Sequence, residues 1–132
     1  MSTSTIYSVT CENFGGFKFL AKSRHHKVIF DQPVEKDGED TGMKPPELFI
    51  ASLGACMGQV IAKFCKQNNI TTKGMLLTVT WKKEHNSGEI NIKLSMPKAI
   101  SEKYEKALIR VANECPLHKA LHSPPKITLK IN

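Results

Sequence analysis

Fifteen consecutive residues without a charge, Leu48–Ala62 (LFIASLGACMGQVIA), sit inside a chain in which 23% of residues are charged. A run of this kind has to be covered, and Pro45-Pro46-Glu47 before it reads as a helix start. Proline is tolerated in a first turn, and an early carboxylate complements the positive end of the helix dipole. The pattern predicts a helix from about Pro46 to Gln67, stopped by Asn68-Asn69. Leu48, Ala51, Leu53, Ala55, Cys56, Val60, Ile61, Phe64 and Cys65 cover more than one face, so the helix is expected to be surrounded by protein. Gly54, Ala55 and Gly58 predict close approach of another backbone, with a second subunit as one source. At 15 residues the run is too short to cross about 30 Å of bilayer, and Ser52 and Gln59 interrupt it.

The elements around this helix follow from period and punctuation. Ile6–Cys11, Phe17–Ala21 and Lys27–Asp31 read as short strands, separated by Asn13-Phe14-Gly15-Gly16 and by a polar stretch at Lys22–His26. Gln32–Lys44 is polar, carries Pro33, Gly38 and Gly42, and is expected to be an exposed loop. Beyond the helix, Leu77, Val79 and Trp81 alternate with polar residues, Asn86-Ser87-Gly88 turns, and Ile90, Ile92 and Leu94 alternate on the return, the signature of a hairpin. Ser101–Asn113 has helical spacing, Pro116 to about Leu121 a second short helix, and Ile127, Leu129 and Ile131 the alternation of a closing strand. The predicted order is βββ–α–ββ–αα–β, an α+β fold with antiparallel sheet packed on a long buried helix.

At 132 residues the chain is read as one domain, 1–132. Its formal charge of +7 raises the question of an anionic partner, but the basic residues are scattered and no aromatics interleave with them. A solvated basic surface is therefore expected, with neither nucleic acid nor membrane as partner. The start MSTSTIYSVT has neither a basic region nor an apolar core, so no secretory signal is read there. Four cysteines without such a signal place the protein in a reducing compartment, the cytoplasm.

Two of those cysteines stand out. Cys56 lies deep in the uncharged helix, where burial favours an inert thiol unless a cation such as Arg24 in the Ser23–His26 turn reaches it. Cys115 precedes Pro116 and so becomes a helix N-cap, a position that lowers a thiol pKa. Cys65 is nine residues beyond Cys56, about 2.5 turns, and faces nearly the opposite way. It and Cys11, at a strand end, read as bystanders. Cys115, His118 and His122 form C-x2-H-x3-H, but no fourth zinc ligand completes the set, and a solvated helix face is the better reading. No Gly-rich phosphate loop or serine-hydrolase elbow is present.

Taken in order, these residues resemble the OsmC/Ohr superfamily of thiol-dependent peroxidases across almost the whole chain. The match rests on Lys44–Gln59 (KPPELFIASLGACMGQ), on Cys115-Pro116 followed by the strand at Ile127–Ile131, and on VIFDQP at Val28–Pro33, similar to the family's "DEP" element. The resemblance implies an α+β, intertwined homodimer in which both subunits build each active site. It implies Cys56 as the peroxidatic thiol, Cys115 as its resolving partner through a disulfide, and an external dithiol, lipoyl-type in some members, as reductant. No metal or organic cofactor is implied. The family's glutamate, ten residues before the first cysteine, falls here on Pro46, with Glu47 one residue later and about 100° round the helix. Glu47 is then a catalytic candidate, a first-turn dipole partner or a dimer contact, and Arg24 is the candidate arginine by position, with the histidines beside it as substitutes. The pattern is nearer the less characterised OsmC-like branch. Two other readings stay open: thiol chemistry on another small sulfur or electrophilic substrate, and a non-enzymatic dimeric module for a small apolar ligand.

Overall fold

The computed structural model describes residues 4–85 and 88–132; Asn86 and Ser87 of the expected turn lie outside them. Two compact units are distinguished, 1–49 and 50–132.

The first unit is an antiparallel meander of β1 (Thr10–Asn13), β2 (Phe19–Ser23) and β3 (His26–Phe30). Pairing of β1 with β2 starts at Thr10↔Lys22, because β2 ends at Ser23 to enter its turn. The first strand therefore begins later than the apolar residues suggested, and Ile6 and Tyr7 remain exposed. The β1–β2 turn is held by Asn13, whose Oδ1 accepts from Gly15 N (2.9 Å) and whose Nδ2 donates to Gly16 O (2.9 Å). Gly15 and Gly16 both take positive φ (101° and 58°) there, a region that costs glycine nothing.

The segment after β3 is tied down rather than loose. Asp31 is only 2% exposed. Its Oδ1 accepts from Gln32 N (2.8 Å), and its Oδ2 accepts from Glu39 N (3.3 Å), Thr41 N (3.1 Å) and Thr41 Oγ1 (2.6 Å). Thr41 Oγ1 is the main group holding this carboxyl down, at about 2 against an ordinary 3.8, with the Gln32 N–H next.

Helix α1 spans Pro45–Gln67. Glu47 caps its start: its Oε1 accepts from Lys44 N (2.9 Å), the Glu half of a capping box, and Glu47 N donates to the Lys44 backbone O (3.0 Å) to close the first turn. The expected stop holds, with Asn69 in the left-handed region (φ 55°) and Ile70 N closing on Cys65 O (2.9 Å). Buried residues Leu53, Gly54, Met57, Gly58, Ile61 and Cys65 form a single stripe, whereas Ala51, Ser52, Ala55 and Gln59 are exposed in the single chain. The helix is thus covered on one side, not on several. The helix has 23 residues and holds an 18-residue stretch with a mean hydropathy of 1.6, long and apolar enough by those measures to cross a membrane, which the 15-residue run alone is not.

The second unit lays that stripe on a hairpin of β4 (Leu76–Lys83) and β5 (Gly88–Ser95). The register pairs Leu77↔Leu94, Val79↔Ile92 and Trp81↔Ile90 on the half-buried face. Gly54 and Gly58 serve this contact within the chain: a Cβ at Gly54 would sit 2.9 Å from Val79 Cγ2, and one at Gly58 3.2 Å from Leu77 Cδ1. Helix α2 (Glu102–Ala112) starts at Ser101, whose Oγ accepts from Tyr104 N (3.3 Å), and buries Leu108 against Ile61 and Cys65. Helix α3 spans Pro116–His122.

The closing strand is not formed. Residues after Ser123 have no regular structure, and Ile127, Leu129 and Ile131 are 88%, 88% and 91% exposed. An alternating segment becomes a strand only beside a neighbour that takes its N–H and C=O groups, and none is described for it within this single chain.

Candidate functional site

Cys56 projects from the middle of α1, and Cys115 is the N-cap of α3, with Pro116 as first helical residue. Proline brings no N–H, so the first backbone donor α3 can offer is Leu117. That donor goes to the Cys56 sulfur, and the Cys115 thiol is within hydrogen-bonding reach of the same atom. Cys115 makes no side-chain cap bond to α3, contrary to the role its N-cap position suggested. The helix start polarises the other cysteine instead.

Both are free thiols, with Cys115 fully buried and Cys56 partly exposed. Leu53, Met57 and Cys115 form one core cluster, against which Cys56, Val60, Leu77, Ile90 and Ile92 pack. Burial among these groups pushes the Cys56 thiol above its ordinary value; the neighbouring Cys115 thiol adds to the rise, and the Leu117 N–H opposes it. Cys65 lies in the other cluster with Ile61 and Leu108, its thiol also raised by burial, and Cys11 is exposed on β1. The spacing argument that set Cys65 apart from Cys56 therefore holds.

Beside the pair, a cleft of about 780 Å³ is lined by Leu53, Met57, Trp81, Ile90, His118 and Leu121 among others. Leu53 and Met57 are shared between its wall and the cluster that holds Cys115. His118 and His122 also face it, one turn apart with ring centroids 4.6 Å from each other. Cys115 is turned toward Cys56, and among the described residues no group of three or more His, Cys, Asp or Glu could hold a metal ion.

Arg24 and Glu47 belong to the first unit. Arg24 is exposed in the two-residue turn between β2 and β3, with φ at 56°, an uncommon conformation for a residue with a side chain. The carboxylate of Glu47 caps α1, the first-turn role that was one of the alternatives the sequence offered.

Two parts of the site escaped sequence reasoning. The Leu117 N–H carried a usable signal, since Pro116 at the first helical position makes the next residue the nearest donor. Trp81 and Leu121 as cleft walls carried none, because β4 and α3 meet only through tertiary packing.

Comparison with known proteins agrees with this architecture. The family model for the OsmC-like protein matches residues 38–130, which take in both cysteines. The "Organic hydroperoxide resistance protein-like" protein of Staphylococcus aureus (strain MSSA476) is 26% identical over 135 aligned positions, covering 96% of this chain and 95% of its own. An OsmC like protein from Mycoplasma pneumoniae is 22% identical, superimposes with a TM-score of 0.76, and covers 92% of this chain and 91% of its own. A Psychrobacter arcticus 273-4 protein with 20% identity reaches a TM-score of 0.79 over 91% of each chain. With its α+β order, its Pro–Glu helix start and its two cysteines inside the matched segment, the chain belongs to the OsmC-like protein family.

Proposed function

We propose that the protein is a thiol-dependent peroxidase that reduces organic hydroperoxides through Cys56 and Cys115. The observation that carries this reading is the pair itself: two reduced thiols in mutual reach, of which only Cys56 meets solvent. The Cys56 thiolate attacks the distal peroxide oxygen, the O–O bond breaks, and the alcohol leaves after taking a proton. The resulting Cys56 sulfenic acid condenses with the Cys115 thiol, giving a disulfide and water. An external dithiol, of lipoyl type, then reduces the disulfide and is itself oxidised to a disulfide. Leu53 and Met57, the part of the cleft wall that packs with the pair, suit an alkyl group better than hydrogen peroxide. The name of the Staphylococcus aureus relative, which speaks of organic hydroperoxide resistance, supports the same peroxide-related redox role.

Burial raises the Cys56 thiol, so the reading requires a cation to favour the thiolate. We assign that part to Arg24, with Glu47 left as the cap of α1. Thiolate absorbance titration of Cys56 should move to higher pH in Arg24→Ala, and an unchanged titration would remove Arg24 from the account. Both subunits of a homodimer complete the protein in this reading. The exposed, alternating Ile127, Leu129 and Ile131 support it, as a segment built to pair with a partner's strand. Light scattering should give twice 14.7 kDa. The four thiols are kept reduced in the cytoplasm, without nucleic acid or membrane as partner.

Peroxide consumption in the presence of a dithiol tests the activity: Cys56→Ser turning over at the wild-type rate would refute it. The raised Cys56 thiol favours a second reading, a dimeric module that binds a small apolar ligand in the cleft. That reading predicts no disulfide under oxidant.

A further inference from the structure

We propose that the Cys56–Cys115 pair is a chelating site for trivalent organoarsenicals, compounds R–As(OH)2 with two exchangeable positions on arsenic. Each thiol replaces one hydroxide: two As–O bonds break, two As–S bonds form, the thiol protons leave as part of two waters, and arsenic stays trivalent. No oxidant or reductant takes part.

The geometry meets the three demands of that reaction. The thiols are both reduced and lie within hydrogen-bonding reach of each other, so one small atom can bridge them. They come from separate elements, α1 and the start of α3, so closing the ring does not require bending a single short segment. Cys56 is partly exposed and takes the first bond from solvent, after which the buried Cys115 closes the chelate within the protein. Neither remaining cysteine competes as a second arm, since Cys65 sits in the other core cluster and Cys11 is exposed on β1.

The surroundings choose arsenic over zinc. Zinc takes thiolates and completes a tetrahedron of four ligands, and among the described residues no third His, Cys, Asp or Glu gathers to supply one. It would also place two anionic sulfurs among Leu53, Met57, Leu77, Ile90 and Ile92, an apolar wall that penalises charge. An arsenic dithiolate is neutral and three-coordinate, with its organic group directed away from both sulfurs. A protonated pair reacts without any change in net charge.

The site needs only reduced thiols and not turnover, so its failure and that of the peroxidase reading are separable. The probe is phenylarsine oxide added to the reduced full-length chain. Intact mass should show one phenylarsenic per chain, with two thiol protons lost. Excess glutathione should leave it in place, and 1,2-ethanedithiol should remove it. Tryptic digestion should give the peptide carrying Cys56 joined through arsenic to the one carrying Cys115. Cys115→Ala, used because Cys115 is buried, should bind roughly 100-fold more weakly, the scale expected when a second tethered contact is lost. The proposal is overturned if glutathione strips the wild type as readily as Cys115→Ala, or if the bridged peptide pair is absent.

Discussion

Adding one methyl group at Gly54 or at Gly58 should have opposite effects. Both residues lie on the stripe of α1 that packs on β4, and both would gain about 1 kcal/mol of helix propensity as alanine. The contacts separate them. A Cβ at position 58 meets the free end of Leu77, Cδ1 at 3.2 Å, which can give way by a few tenths of an ångström through rotation of a leucine side chain. A Cβ at position 54 meets Val79 Cγ2 at 2.9 Å, on a β-branched residue with little rotamer freedom. Overpacking of that kind costs about 1–3 kcal/mol. Gly58→Ala should therefore be neutral to about 1 kcal/mol more stable, and Gly54→Ala about 0–2 kcal/mol less stable. Cys56 stands between them on the same helix, so pushing α1 off Val79 also displaces Cys56 relative to Cys115. Gly54→Ala should close the disulfide more slowly after oxidation while Gly58→Ala keeps the wild-type rate. Urea unfolding read by the single Trp81 measures the first effect and quenched thiol alkylation the second. Gly54→Ala as the more stable of the two variants would refute the packing argument.

Further outcomes follow from the same contacts. Cys115→Ser should let a single equivalent of alkyl hydroperoxide oxidise Cys56 to a sulfenic acid that dimedone traps, with mass spectrometry showing the adduct on Cys56 and no disulfide. The Asp31 carboxyl is held at about 2 by Thr41 and the Gln32, Glu39 and Thr41 N–H groups, against 3.8 when free. A depressed folded value means its contribution is complete above about pH 4 and is lost as pH falls toward 2. Acid titration of stability should show that loss, and Asp31→Asn should be less stable at neutral pH with a flatter profile between pH 4 and 2. Ser101→Ala removes the oxygen that accepts from Tyr104 N and should cost about 1 kcal/mol in urea unfolding.

Local signals carried most of the fold. The β4–β5 hairpin was legible because Leu77, Val79 and Trp81 alternate against Ile90, Ile92 and Leu94, and the start of α1 because Pro45-Pro46-Glu47 marks a first turn. The coverage of α1 was misjudged for a physical reason. Apolar residues on several faces say that a helix must be buried, but not whether its own chain or another copy covers each side. The same ambiguity explains Gly54 and Gly58, whose missing side chains admit β4 of the same chain. Ile127–Ile131 shows it again, since alternation specifies a strand without naming its neighbour. At the site, helix geometry placed Cys115 at a helix start. Which sulfur the Leu117 N–H would reach depended on how α3 packs on α1, and no residue spacing encodes that.

The central claim is that Cys56 and Cys115 act as one redox unit, and a single titration tests it. Reduced protein is treated with increasing alkyl hydroperoxide, free thiols are alkylated, and peptides are mapped by mass spectrometry. The account predicts that one equivalent per chain converts Cys56 and Cys115 together into a disulfide, leaving Cys11 and Cys65 as thiols. Oxidation of Cys11 ahead of Cys56, or survival of both Cys56 and Cys115 as thiols after one equivalent, would contradict it.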